Sequence, residues 1–185
     1  MRHLPLLGLA LTACSSSSAS RTIDAPDMVA DSMTLTSTAF AEGGTIPVEQ
    51  TCRGMNLSPP LAWTGAPSGT QSIAVVLTDL AVLPPLVHWV IYDLSPSTTS
   101  LPAHVEASYQ PASVPGAHQT RGYDERTFGY LGPCPAVTDR YVFTVHALDV
   151  AALPGARQDT TAVDAAGLVT GHHIARGTLS GLYGP

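Results

Sequence analysis

Ser72-Ile-Ala-Val-Val-Leu-Thr78, Val87-His-Trp-Val-Ile-Tyr92 and Arg140-Tyr-Val-Phe-Thr-Val-His-Ala-Leu148 are the stretches on which the fold turns. The first two are short, unbroken apolar runs rich in Val and Ile. They are too short for a buried helix and suit central strands covered on both faces. The third alternates: Tyr141, Phe143, Val145 and Ala147 share one face, and Val142, Thr144, His146 and Leu148 the other. Turn-forming clusters separate these runs: Glu42-Gly-Gly44, Leu57-Ser-Pro-Pro60, Gly65-Ala-Pro-Ser-Gly69, Ser95-Pro96 and Leu131-Gly-Pro-Cys-Pro135. Sixteen Gly and sixteen Pro in 185 residues favour many turns and short strands.

Working outward, Met33 to Phe40 alternates and is rich in Thr, which predicts an edge or half-buried strand. Thr161 to Leu168 reads as a short helix with a polar start. Gly171 to Ala175 reads as one more helical turn, and Gly177 to Tyr183 as a final strand. The expected fold is mainly β, with packed antiparallel sheets and short helices near the C-terminus, in one domain over residues 32–185.

The N-terminus carries a different signal. Met1-Arg2-His3, the apolar run Leu4 to Leu11 and Thr12-Ala13-Cys14 have the order of a signal peptide. Leu11-Thr12-Ala13-Cys14 is similar to a bacterial lipobox, which implies cleavage after residue 13 and lipidation of Cys14. Residues 14–31, rich in Ser and Asp without apolar periodicity, read as a flexible tether. The expectation is an exported lipoprotein of the cell envelope, held to the membrane by its N-terminal lipid. Cys52 and Cys134 then remain, and an even pair in an oxidising compartment reads as a disulfide. Spacing alone leaves two buried free thiols as the alternative.

The charge balance excludes some partners. All eight basic residues are arginine, against fourteen acids, for a net charge of −6. A nucleic-acid partner is not expected, since backbone binding needs a basic face. No metal or cofactor is implied. His172-His173 lacks partners at ligand spacing, His104 and His118 stand in loops, and GxSxG, HExxH, P-loop and GxGxxG patterns are absent from the chain. The chemistry-bearing residues instead sit at strand ends: Asp79, His88-Trp89, Gly132-Pro133-Cys134-Pro135 and Asp139-Arg140-Tyr141.

Thr45-Ile-Pro47 and Thr51-Cys-Arg-Gly-Met-Asn-Leu-Ser-Pro-Pro-Leu-Ala-Trp63 resemble a stretch of the phosphatidylethanolamine-binding protein family, in its bacterial Raf-kinase-inhibitor-like (YbhB/YbcL-type) branch. Asp79, His88-Trp89, Gly129 to Pro135, Asp139-Arg140-Tyr141, Ala147-Leu148-Asp149 and His173 to Tyr183 follow in the family's order. The resemblance spans about residues 33 to 185. It implies a large antiparallel sheet packed on a smaller one, and a pocket for phosphate or a phosphoethanolamine head group. The pocket residues it points to are Asp79, His88, Gly132, Pro133, Pro135, Asp139, Arg140 and Tyr141. An anion needs N–H donors and little competing negative charge. Gly132 permits close backbone approach, the prolines stiffen the turn, His88 offers ring nitrogens and Tyr141 a phenol. Trp63 and Trp89 are expected in the core.

Two departures stand out. The family's DPDxP is here Asp79-Leu-Ala-Val-Leu-Pro84, and its HRY is Asp139-Arg140-Tyr141. If both positions face one cavity, a donor is lost and a negative charge relocated, with Arg140 or Arg121 as possible compensation. The expected function is a non-catalytic, lipid-anchored binding protein for a small anionic ligand or phospholipid head group. The alternatives are an envelope protein-interaction module or peptidase inhibitor acting through Tyr109 to Phe128, and an acid–base hydrolase using Asp79 and His88.

Overall fold

The computed structural model describes residues 33–185. The expected signal peptide (1–13), Cys14 and the tether (14–31) lie outside the described residues. The strands are β1 (Thr34–Thr36), β2 (Gly44–Thr45), β3 (Leu61–Thr64), β4 (Ser72–Asp79), β5 (Leu86–Leu94), β6 (Ser100–Leu101), β7 (His118–Gln119), β8 (Asp139–Leu148) and β9 (His173–Tyr183), with one helix, α1 (Ala162–His172), before β9. They form a six-stranded sheet in the order β2-β9-β8-β4-β5-β7 and a three-stranded sheet in the order β1-β3-β6.

The central strands bury both faces, as their apolar runs require. Ile73, Val75 and Leu77 of β4 meet Leu35, Leu61, Trp63 and Leu101 of the small sheet in one core. Ala74 and Val76 point the other way, into a second core with Ala162, Ala165 and Val169 of α1. The same alternation in β8 sends Tyr141, Phe143 and Val145 to the first core and Leu148 to the second. Trp63 and Trp89 are buried, as expected.

The structure corrects the sequence reading in four places. The large sheet is mixed, because β2 runs parallel to β9, pairing Gly44 with Gly181. No short hairpin joins these strands, so no turn imposes antiparallel order. The strand expected over residues 33–40 ends at Thr36, where Ser37 donates to the Pro60 carbonyl and accepts from Ala39 N–H, turning the chain inward. Helix α1 is single and runs on to His172, capped at Thr161, whose hydroxyl accepts from Asp164 N–H at 3.1 Å. Strand β9 begins at once at His173, where the sequence suggested a further helical turn.

Candidate functional site

A cavity of about 350 Å³ opens at one end of the large sheet, where β4 finishes, β8 begins and β5 carries His88. Register brings the polar groups together: Asp79 lies opposite Tyr141 on β8 and Leu86 on β5. Pairing between β4 and β5 jumps from Leu77–Trp89 to Thr78–Val87, leaving His88 as an extra residue in β5. A bulge of this kind re-aims a side chain. Here Val87 joins the α1-side core and Trp89 the opposite core, while His88 between them turns into the cavity. The sequence carried no sign of this slip.

The opposite wall is the 130–135 loop, which the TCRGMNLSPP segment holds in place. Tyr130 O–H donates to the Gln50 carbonyl at 2.7 Å, Cys52 N–H to the Pro133 carbonyl at 3.0 Å, and Gly132 N–H to Asn56 Oδ1 at 2.7 Å. Asn56 adopts a positive φ of 57°, which asparagine tolerates better than most residues. A disulfide joins Cys52 to Cys134, with Cα atoms 5.3 Å apart, so the expected bond is formed. Gly132 is required for packing: a Cβ there would fall 2.1 Å from the Gln50 carbonyl oxygen. Its N–H, expected to face a ligand, is spent on Asn56. Pro133 is buried behind the wall, whereas Pro135 lines the cavity.

His88 is 2% exposed. Its Nδ1 lies 2.9 Å from the Leu131 carbonyl, which can only accept, so this nitrogen carries the proton. Nε2 is therefore a bare acceptor in the neutral ring, and it has no hydrogen-bond partner among the described residues. The ring is held edge-on against Tyr123 and Tyr141, at 4.7 and 5.4 Å between centroids. Burial holds the His88 pKa below the usual 6.5, opposed by the Leu131 carbonyl and the charge of Asp79. Tyr141 is pushed well above the tyrosine range by burial and by the neighbouring Asp79 carboxylate. Asp79 Oδ1 accepts from Ala81 N–H at 2.8 Å.

Of the sequence candidates, the structure gathers Asp79, His88, Pro135, Asp139 and Tyr141 around the cavity, with Cys134 at its edge. Arg140 is not among them. It is exposed on the other face of β8, where its charge helps to lower the pKa of Glu42. Arg121 sits over the Phe128 ring, 4.3 Å from the centroid, and lines a separate cleft. Two carboxylates thus face the cavity with no Lys or Arg among its lining residues, so it is rich in acceptors. Tyr123 and Asn56 are site residues that sequence reasoning missed. Asn56 lies within the quoted TCRGMNLSPP segment; nothing in the sequence pointed to Tyr123.

A sequence model of the phosphatidylethanolamine-binding protein family matches residues 36–184. The chain belongs to this family. Within it, the chain falls in the branch of YbcL and the UPF0098 proteins. It is 38% identical over 157 residues to a UPF0098 protein of Methanothermobacter thermautotrophicus, covering 82% of this chain and 98% of that one. It is 34% identical over 168 residues to "Putative lipoprotein LppC" of Mycobacterium tuberculosis, covering 86% and 79%. The crystal structure of YbcL from E. coli superposes with a TM-score of 0.76 at 25% identity, over 83% of this chain and 99% of that one. The fold is thus that of the phosphatidylethanolamine-binding proteins, and Asp139 faces the cavity where the family's HRY has histidine.

The other histidines lie elsewhere. His104 pairs with Glu49 at 3.6 Å on the surface, His118 with Asp93 at 2.9 Å and His172 with Asp149 at 3.1 Å. The Tyr109–Phe128 segment is tied down: Gln119 is buried, accepts from Trp89 Nε1–H at 2.7 Å, and donates to the Glu106 and Ser108 carbonyls.

Proposed function

We propose that this is a non-catalytic binding protein, lipid-anchored in the cell envelope, whose cavity takes a phosphorylated head group of the phosphoethanolamine class. The reading is carried by His88 Nε2, a buried ring nitrogen without a hydrogen-bond partner among the described residues, in a cavity that two carboxylates also line. A phosphate dianion suits this surface poorly, since Asp79 and Asp139 repel it. A zwitterion suits it better, with its ammonium toward the carboxylates and a singly protonated phosphate on Nε2. One proton must lie between Nε2 and the phosphate, whichever partner brings it. A phosphomonoester has its second pKa near ~6, so affinity rises as pH falls toward that value. The family name supports the head-group class, and the LppC relative supports the lipid anchor at Cys14.

The test is thermal stability of the 33–185 domain against phosphoethanolamine, inorganic phosphate and chloride at pH 6 and pH 8. A ligand at a hundred times its Kd adds about 2.7 kcal/mol, readily seen as a rise in Tm. The expected order is phosphoethanolamine above phosphate above chloride, larger at pH 6 and lost in His88→Ala. Equal stability in all three solutions would remove the head-group reading. The anchor is tested separately, since Cys14→Ala should move the full chain from the membrane to the soluble fraction.

A further inference from the structure

The cavity offers acceptors and has few donors left. Gly132 N–H is spent on Asn56, Ala81 N–H on Asp79, and His88 Nδ1–H on the Leu131 carbonyl. The Asp79 and Asp139 carboxylates and the phenols of Tyr123 and Tyr141 remain. With them stands His88, 2% exposed, whose Nε2 has no partner among the described residues. Asp79 pairs with Tyr141 across β4 and β8, and Asp139 stands two residues before Tyr141 in β8. The two acids are therefore diagonal neighbours on one face of the sheet, with Cα atoms roughly 7–8 Å apart. Such a gap suits one alkylammonium group, which has three N–H donors and no acceptor. Among the described residues no three His, Cys, Asp or Glu side chains are grouped to hold a metal ion, which favours a cation that brings its own hydrogens.

The open space continues past these acids. A second cleft, of about 200 Å³, shares Leu86 and Tyr123 with the cavity. Val87 and the 63%-exposed Val163 give it further apolar lining, and Glu125 lines it too. The Glu125 carboxylate makes no ion pair among the described residues, and Arg121 nearby sits over the Phe128 ring. Acids, an apolar stretch and another acid thus follow one another along a continuous groove. We propose that this groove binds a linear aliphatic diamine. One ammonium lies between Asp79 and Asp139 and donates to His88 Nε2, the methylene chain runs over Leu86, Tyr123 and Val163, and the second ammonium reaches Glu125. Ammonium–carboxylate hydrogen bonds are charge-assisted, and the Tyr123 ring attracts a cation over its face. The methylenes leave water against apolar side chains. Asp139 makes the difference, since histidine at that position would leave the first ammonium a single carboxylate. The chain contains no lysine, so no side chain of a second copy supplies an alkylammonium in the ligand's place. The proposal goes beyond the head-group reading: it shares the cavity and needs no phosphate.

Calorimetry on the full chain, in a neutral detergent and phosphate-free buffer, compares 1,4-diaminobutane, n-butylamine, choline and phosphoethanolamine. Diaminobutane should bind about tenfold or more tighter than butylamine, because its second end binds from within the complex. Choline has no N–H to donate and should bind more weakly than either. Across diamines of increasing length, affinity should pass through a maximum where the spacer matches the groove. Asp139→Asn should weaken both amines by about tenfold, from the loss of one carboxylate. Glu125→Gln, at an exposed loop position, should weaken the diamine alone. The Tm of each ligand-free variant checks its fold. The inference fails if diaminobutane does not bind, if it binds no better than butylamine, or if Glu125→Gln leaves its affinity unchanged. Binding of phosphoethanolamine without diaminobutane overturns the diamine and leaves the head-group reading. Binding of diaminobutane without phosphoethanolamine does the reverse.

Discussion

The large sheet holds a buried histidine toward each end, and the two are opposites. His88 is 2% exposed and His146 7%, and each has a ring nitrogen without a hydrogen-bond partner among the described residues. His88 opens onto a cavity faced by Asp79 and Asp139, so a proton arriving with a ligand finds compensating charge. His146 stacks on His173 at 5.4 Å, near Arg176, under the α1 side of the sheet. Burial, then the His173 and Arg176 charges, drive its pKa down to about 3. One kind of side chain therefore reads as a binding group at one end and a neutral packing element at the other. The neighbours decide which, more than burial does.

Four measurements would break or sharpen that contrast. Replacing Cys52 and Cys134 by serine should have the largest effect. The bond closes a sequence separation of 82 residues, and its loss should cost about 4 kcal/mol in the chain-entropy model, read as a fall in the denaturant midpoint. It should also weaken phosphoethanolamine binding, since Cys134 and Pro135 border the cavity. An unchanged midpoint would mean that hydrogen bonds alone fix the wall.

Gly132→Ala comes next. Its Cβ would meet the Gln50 backbone at 2.1 Å, so a loss of about 3 kcal/mol is expected, together with the ligand-induced Tm rise. The control is Gly167→Ala within α1, where a Cβ meets nothing within 4 Å and stability should rise by up to about 1 kcal/mol. Comparable losses in both would show that the pocket wall is no tighter than the helix face.

His146 should contribute most to the acid response. Its folded pKa lies below the unfolded value of 6.5, so the unfolded chain binds the proton first. Stability is full above pH 6.5 and falls as pH drops toward the folded value, by at most about 1.4 kcal/mol per pH unit from this group. The carboxylates with lowered pKa, such as Glu42, contribute only below about 4.5. His88 and His173 are also held below 6.5 by burial and add to the slope in this window, so between pH 6.5 and 4.5 His146→Leu should reduce the slope of stability against pH without abolishing it. A slope unchanged in the variant would place the acid sensitivity elsewhere.

Asp139→His should have the smallest effect on stability and a specific one on binding. Removing a carboxylate and adding a donor should tighten inorganic phosphate by about tenfold in calorimetry, from the loss of one like charge at close range. No change would mean that Asp139 does not act on the bound anion.

Much of this architecture is legible in the residues. The runs Ser72–Thr78 and Val87–Tyr92 are apolar on both faces because both faces are covered, and the alternation of 140–148 survives as the division of β8 between two cores. Asp79, His88 and Tyr141 could be named because they occupy strand ends in a familiar order. Arg140 could not be assigned a side: in a strand, a one-residue step reverses the face, and only pairing with β9 and β4 sets the register. From sequence, Gly132 reads as a ligand donor because its competitor for the N–H, Asn56, is 76 residues away in the chain.

The sequence by itself determined the β-rich class, the family and the acidic character of the whole, and left the Cys52–Cys134 bond as one of two readings. These are properties of composition, periodicity and local order, which need no third dimension. Tertiary structure alone decided that β2 runs parallel to β9, that a bulge turns His88 into the cavity, that no arginine lines it, and that the exposed side chains of Val82, Tyr123 and Val137 do. Each of these depends on which distant segments come into contact, and a side chain's charge or exposure takes its meaning from that contact.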